Sequence, residues 1–237
     1  IQWGTHASSW MGAASGNKAL MANVIRIGIR YNTFDLLEDG YGINLRPLSA
    51  FAERVYGNDP CEFFAPHILD ENLYDPVDLQ LASKMHKAIA IIQFKLEGQL
   101  IEKHPEYKMD DLVLLRRIDF EKGTVTVRGK VYPMRDKLFP TVDPKNPLEL
   151  SKEEKELMKA IAYSFRHSER LQKHIRFLYS HGSMYLSINS NLLYHGCIPL
   201  KEDGEFDEVH LGGRGRKGRE LLEYLDSVAR EAYFAPE

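Results

Sequence analysis

Three stretches of this chain carry residue types that can do chemistry. The first is Ile1-Gln2-Trp3-Gly4-Thr5-His6-Ala7, which reads as the end of a strand, a Gly4 turn carrying a histidine, and then a small-residue-rich entry into a helix. A histidine at a strand exit behind glycine can give a proton to a leaving oxygen or orient it. The plainer reading is a loop histidine bonded to backbone. The second stretch is Tyr194-His195-Gly196-Cys197, another strand running into His-Gly. Neutral imidazole suits manganese, iron or zinc, and glycine lets the backbone crowd a site. The plainer reading is a strand-end histidine held by a carbonyl. Cys197, two residues on and on the same strand face, reads as core. The third stretch is Gly212-Gly213-Arg214-Gly215-Arg216-Lys217-Gly218, a basic glycine loop before a helix. Arg214, Arg216 and Lys217, with Arg219, offer an anion side-chain charge and free N–H groups. Walker spacing is absent, and a solvated turn is the plainer reading. Arg26, Arg30 and Arg46 are lesser candidates.

These stretches need elements to position them. Apolar residues at Leu20, Val24, Ile27 and Ile29 predict a helix over 18–31, and Pro47 opens another through Tyr56, stopped by Gly57. Thr33–Gly40 reads as a strand or a loop. Residues 58–74 read as a connecting loop. Asp75-Pro76-Val77-Asp78 has the residues of a helix start, and Val77, Leu81, Met85, Ile89, Ile92, Leu96 and Leu100 carry that helix to near Pro105. Leu112–Phe120 and Thr124–Val127 predict a hairpin about Glu121-Lys122-Gly123, with a third strand at 130–132. Ser151-Lys152-Glu153-Glu154 is a capping box opening one helix that runs to His181-Gly182. Met184–Ile188 and Leu192–His195 predict strands joined by Asn189-Ser190-Asn191, Glu205–Val209 reads as another, and a last helix covers 219–232. The long helices and the hairpin between them, 75–182, look like an insertion between the two histidine stretches.

Composition is that of an ordinary globular chain: 237 residues, 43% hydrophobic, 27% charged, net charge −3. That allows one large domain or a domain with a sizeable insertion, and argues against bulk nucleic-acid binding. No apolar run is long enough to cross a bilayer and no signal-peptide pattern opens the chain. Cys61 and Cys197 lie far apart without metal-type spacing, which favours a reducing cytoplasm over a disulfide framework or zinc knuckle. The first residue, Ile1, already falls inside the expected strand, as though sequence were missing upstream.

The wording around both histidines resembles the bacterial class III fructose-1,6-bisphosphatases, within the calcineurin-like metallophosphoesterase superfamily. It lies in Trp10-Met11-Gly12-Ala13-Ala14-Ser15-Gly16, Tyr41-Gly42-Ile43-Asn44-Leu45-Arg46-Pro47-Leu48 and Ile188-Asn189-Ser190-Asn191-Leu192-Leu193-Tyr194-His195-Gly196. The resemblance covers nearly the whole chain but only the middle of the family's longer polypeptide. It implies an α/β fold of mixed type: one incomplete domain over 1–237, a partial calcineurin-like β-sandwich flanked by helices, with the 75–182 insertion. It also implies a mixed sheet joining the Ile1–Gly4 and Leu192–His195 strands, with His6 and His195 at one edge.

The implied chemistry is manganese-dependent hydrolysis of the 1-phosphate of fructose 1,6-bisphosphate, in gluconeogenesis. His6 would stand at the leaving oxygen and His195 would be a metal ligand. In the family's Gly-Asn-His-Asp/Glu signature the asparagine is a metal ligand and the acid holds the imidazole. Here those positions are Thr5, a poorer donor to a hard ion, and Ala7, which offers nothing. Loss of such a supporting carboxylate matters about 10–100-fold. The family's Asp-x-His, Gly-Asp-x-x-Asp-Arg-Gly and final Gly-His signatures do not occur in these residues. The chain alone is therefore not expected to build a complete metal pair. The alternative is a catalytically defective segment kept for fold, assembly or anion binding. A sugar-phosphate substrate, a nucleotide or phosphate effector, and homo-oligomerisation complete the implied partners.

Overall fold

A computed structural model describes residues 1–68 and 78–235. The chain opens differently from the predicted strand and histidine loop. Gln2 makes one parallel bridge to Ser183, and helix α1 (Thr5–Ala14) begins directly after Gly4. The chain leaves Ser183 for a separate hairpin, so the bridge does not grow into a sheet. Gly4 is extended and takes the N-cap position without a side chain, placing Thr5 and His6 in the first helical turn. α1 buries Met11, Ala13 and Ala14.

α2 (Lys18–Arg30) is capped by the Asn17 side chain, which accepts from Leu20 N at 3.1 Å. Residues 36–40 form a single π-helical turn rather than a strand. α3 (Arg46–Tyr56) starts with Pro47 in its first turn. The predicted Asp75 cap and Val77 lie outside the described residues. Among those described, Asp78 caps α4 (Leu79–Lys103), accepting from the Gln80 and Leu81 amides at 3.0 Å.

α4 is buried on nearly every side, including its polar residues. Lys87 is fully buried, with its Nζ 2.5 Å from Asp59 and 2.7 Å from Asp136. The rings of Tyr56, Phe139 and Phe64 surround that ammonium at 5.4, 5.5 and 5.9 Å. Lys95, also fully buried, binds Glu154 at 2.8 Å and the Thr141 carbonyl at 2.6 Å. Burial of a charge is tolerable only with such partners. Helical periodicity cannot supply them, because they lie up to 59 residues away.

The expected Leu112–Phe120 strand shrinks to β1 (Ile118–Asp119), because the preceding residues coil into short 3₁₀ turns. β1 pairs antiparallel with β2 (Thr124–Val127), and β2 with β3 (Lys130–Pro133). The predicted single helix over 151–181 is two: α5 (Lys152–His167), with its capping box intact, and α6 (Glu169–His181). Ser168 breaks the run. Its hydroxyl donates to the Tyr41 carbonyl at 2.5 Å and accepts from Leu171 N, so it starts a new helix.

β4 (Tyr185–Ile188) and β5 (Asn191–Tyr194) form a hairpin about Asn189 and Ser190, both at positive φ. A second ribbon, β6 (Val209–Leu211) with β7 (Arg214–Arg216), turns at Gly212-Gly213. The basic segment expected to be a loop is therefore a hairpin, completed by α7 (Gly218–Phe234). Among the described residues the sheets are three small, separate antiparallel ones, not one mixed sheet. One core unites residues from α1 to α6 with Trp3. No helix among the described residues is long and apolar enough to cross a membrane.

Candidate functional site

The two histidine stretches meet at Gly4. An added Cβ on Gly4 would stand 3.2 Å from His195 Nδ1 and 3.4 Å from its Cε1, so the imidazole lies flush on the glycine backbone. Any larger residue at position 4 pushes against that ring. Thr5 and His6 follow at once, both exposed. Gly4 offers no side chain to cap the first-turn N–H groups of α1. His195 is exposed as well, just beyond the end of β5. Cys197, read as core from strand alternation, is exposed, because β5 ends at Tyr194 and the alternation ends with it. Cys61 is the buried thiol, and burial, reinforced by Asp59, pushes its pKa up to about 12.

Several residues that sequence reasoning passed over hold this junction from behind. Trp3 is buried, and its Nε1 donates to the Leu178 carbonyl at 3.0 Å. The backbone of Trp3 donates to Ser183 O at 2.9 Å, and Ser183 N donates to Ile1 O at 3.0 Å. A Cβ on Gly182 would fall 2.2 Å from the indole nitrogen, so only glycine fits there. From α7, Arg230 Nε donates to Asp226 Oδ1 at 2.5 Å, Nη1 to Tyr179 O at 2.7 Å and Nη2 to Gly182 O at 2.8 Å. Its guanidinium lies 4.9 Å from the Trp3 ring centre. The other oxygen of Asp226 accepts from Met184 N at 2.9 Å. Tyr185 Oη donates to Glu223 at 3.1 Å, and Arg219 binds the same carboxylate at 2.7 Å. Arg219 and Tyr185 together hold Glu223 below the usual carboxylate range. None of these contacts could be read from the sequence, the Gly182–Trp3 clearance least of all, since neither residue signals the other.

The basic ribbon is more occupied than its composition suggests. Arg214 is exposed and ion-paired with Glu220. Arg216 is buried, donating to the Leu211 and Arg214 carbonyls, with its guanidinium 3.6 Å from the Tyr224 ring centre. Both reach α7 because alternate residues of a strand share a face and residues 220 and 224 share one side of a helix. Lys217 is exposed at the N-cap of α7.

The donors at Gly4 do not fit a metal pair by themselves. Among the described residues no group of three or more His, Cys, Asp or Glu side chains converges as metal ligands. A dinuclear centre needs several carboxylates and imidazoles. His195 and the Thr5 hydroxyl supply at most two donors.

A family model described as Firmicute fructose-1,6-bisphosphatase matches residues 1–237. The chain is 56% identical over 234 residues to a fructose-1,6-bisphosphatase class 3 of Clostridium novyi, covering 99% of this chain and 35% of the relative. A protein of the same name from Clostridium acetobutylicum is 53% identical over 237 residues, covering 100% and 36%. One from Listeria innocua is 54% identical over 233 residues, covering 98% and 36%. The chain thus spans about a third of the length of the curated relatives it matches. No solved structure matches it.

Proposed function

This chain belongs to the Firmicute fructose-1,6-bisphosphatase family, and on that premise we propose that it forms part of a phosphatase that hydrolyses fructose 1,6-bisphosphate to fructose 6-phosphate and phosphate. The observation that carries the reading is the His195 imidazole laid against Gly4, immediately before Thr5 and His6. Two segments nearly two hundred residues apart thereby present exposed imidazoles beside one helix start. In the proposed reaction the bond between phosphorus and the sugar oxygen breaks as water's oxygen joins phosphorus. His6 gives a proton to the departing sugar oxygen. Arg214 and Lys217 lend charge to a phosphate, while Arg216 fixes the ribbon that carries them.

The finer features belong to the same proposal. A manganese pair would draw His195 from this chain and its other ligands from the rest of the longer polypeptide. The β4–β5 hairpin, with both outer edges free among the described residues, is the piece that would join a calcineurin-like β-sandwich. The 75–182 segment would then be an insertion packed tightly against the preceding helices. Two unpaired cysteines, one of them exposed, suit the reducing cytoplasm. Exposed Tyr163 and Phe177 offer apolar surface to a homo-oligomer. A nucleotide or phosphate effector is part of the proposal too. The lack of three converging metal ligands among the described residues favours a second reading, a defective segment, for this chain taken alone.

The test is metal titration and phosphate release for the four combinations of Thr5→Asn and Ala7→Asp in the full-length polypeptide. Thr5→Asn should raise metal affinity more than rate, because it returns a ligand oxygen. Ala7→Asp should act mainly on rate, by orienting and stabilising the His6 imidazolium. Full activity with neither change, unaltered by both, would overturn the assignment of this loop.

A further inference from the structure

We propose that Arg230, braced by Asp226, is the positioning residue that sets His195 on Gly4. The inference rests on reading Thr5, His6 and His195 as a site, and asks what aims that site.

The β4–β5 hairpin buries little of itself. Ile188, Leu192, Leu193 and Tyr194 are all exposed. A two-stranded hairpin without a packed face is marginal on its own, so its direction is set at its root. That root is Ser183-Met184-Tyr185. Met184 N is fixed by Asp226 and Tyr185 Oη by Glu223. The other side of the junction, Gly4, is aimed by Trp3, whose indole lies beneath the Arg230 guanidinium. Arg230 therefore touches both approaches at once: Asp226 and the Gly182 carbonyl on the hairpin side, Trp3 on the helix side. Its bonds to the Tyr179 and Gly182 carbonyls also use acceptors left open where α6 ends, where a cation is favoured by the helix dipole. One side chain in α7 thus registers the two segments whose meeting defines the site. Arg219, whose partner Glu223 also takes the Tyr185 hydroxyl, bears on the hairpin side only.

The experiment follows the ring rather than the reaction. In the 237-residue chain, the proton–proton cross-peak between His195 Hε1 and the Gly4 α-protons reports the docked imidazole. Arg230→Met keeps the stem against Trp3 and removes every donor. The docked population should fall about ten-fold, the scale of losing one charge-assisted hydrogen bond, while thermal unfolding stays cooperative. Arg230→Lys, which keeps the charge but gathers its donors on one nitrogen, should restore part of the cross-peak. Arg170→Met, at an exposed arginine near the start of α6, should leave it unchanged. A full cross-peak in Arg230→Met, or an equal loss in Arg170→Met, overturns the proposal. Should Arg230→Met fail to fold, Asp226→Asn weakens both the Met184 anchor and the Arg230 brace and must weaken the same cross-peak; an unaltered one there overturns the proposal equally. The cross-peak tracks ring position whether or not metal binds or phosphate is released. Failure of the Thr5 and Ala7 repairs would therefore count against the functional reading and leave this one standing.

Discussion

Removing the Lys87 ammonium should reverse the sign of one contribution to pH-dependent stability. Lys87 is fully buried between Asp59, itself 6% exposed, and Asp136. Lys87→Met fills a similar volume among Tyr56, Phe64 and Phe139 but leaves two carboxylates facing an apolar box. Breaking one side of a buried ion pair costs about 3–5 kcal/mol, and Cys61 N still donates to Asp59 at 2.9 Å, so the lower half of that range is expected at pH 7. In the native chain burial opposes ionisation of Asp59, and Lys87 with the Cys61 amide more than offsets it, so its pKa is lowered. A carboxylate with a lowered folded pKa contributes stability that is full above its unfolded value, about 3.9, and is lost as pH falls through the folded value. Without Lys87 the burial effect dominates, the folded pKa rises above the unfolded one, and acidification then favours the folded state. Urea unfolding of both proteins between pH 7 and pH 4 should therefore show stabilities that converge as pH falls. Adding Asp59→Asn and Asp136→Asn to Lys87→Met should recover most of the loss at pH 7, because no uncompensated charge is left. Parallel pH curves, or a loss below about 1 kcal/mol at pH 7, would refute the reasoning.

Two further outcomes are simpler to check. Gly4→Ala brings a methyl to 3.2 Å from the exposed His195 ring; the ring should yield, costing only about 0.5–1 kcal/mol in a denaturant melt, as expected for alanine in place of glycine at an N-cap, while the His195 ring resonances shift clearly. A thiol reagent at neutral pH should label Cys197 in the native chain and leave Cys61 untouched until unfolding, since the latter is buried and its pKa is pushed up to about 12; two fast thiols in the native chain would contradict its burial.

Local signals in the sequence carried the parts of the fold that are decided locally. The Pro47 helix start, the Ser151–Glu154 capping box and the Asn189-Ser190 turn each act over three or four residues, and each appears where its residue types place it. What stayed hidden depends on distant partners. Helical spacing assigns Lys87 and Lys95 to a polar face; only Asp59, Asp136 and Glu154, brought in by other elements, make their burial stable. Ser168 looks like one more polar residue inside a helix until the Tyr41 carbonyl claims its hydroxyl. At the site, the histidines and the basic ribbon could be picked out by residue type. The contact between His195 and Gly4, and the Trp3–Arg230–Asp226 arrangement behind it, could not, because a glycine's missing side chain gives no hint of which ring will fill the space.

The bridge between the first residues and the end of α6 has a consequence for the order in which the chain assembles. Trp3 N donates to the Ser183 carbonyl, and the Trp3 indole reaches Leu178 across 175 positions. During synthesis these residues leave the ribosome well before their partners, and before Arg230. Loop-closure entropy grows only slowly with length, so the delay costs little at equilibrium, but in time it is unavoidable. The segment bearing Thr5 and His6 can pack early on α2 through the buried face of α1, but it acquires its final aim only when α7 has left the ribosome.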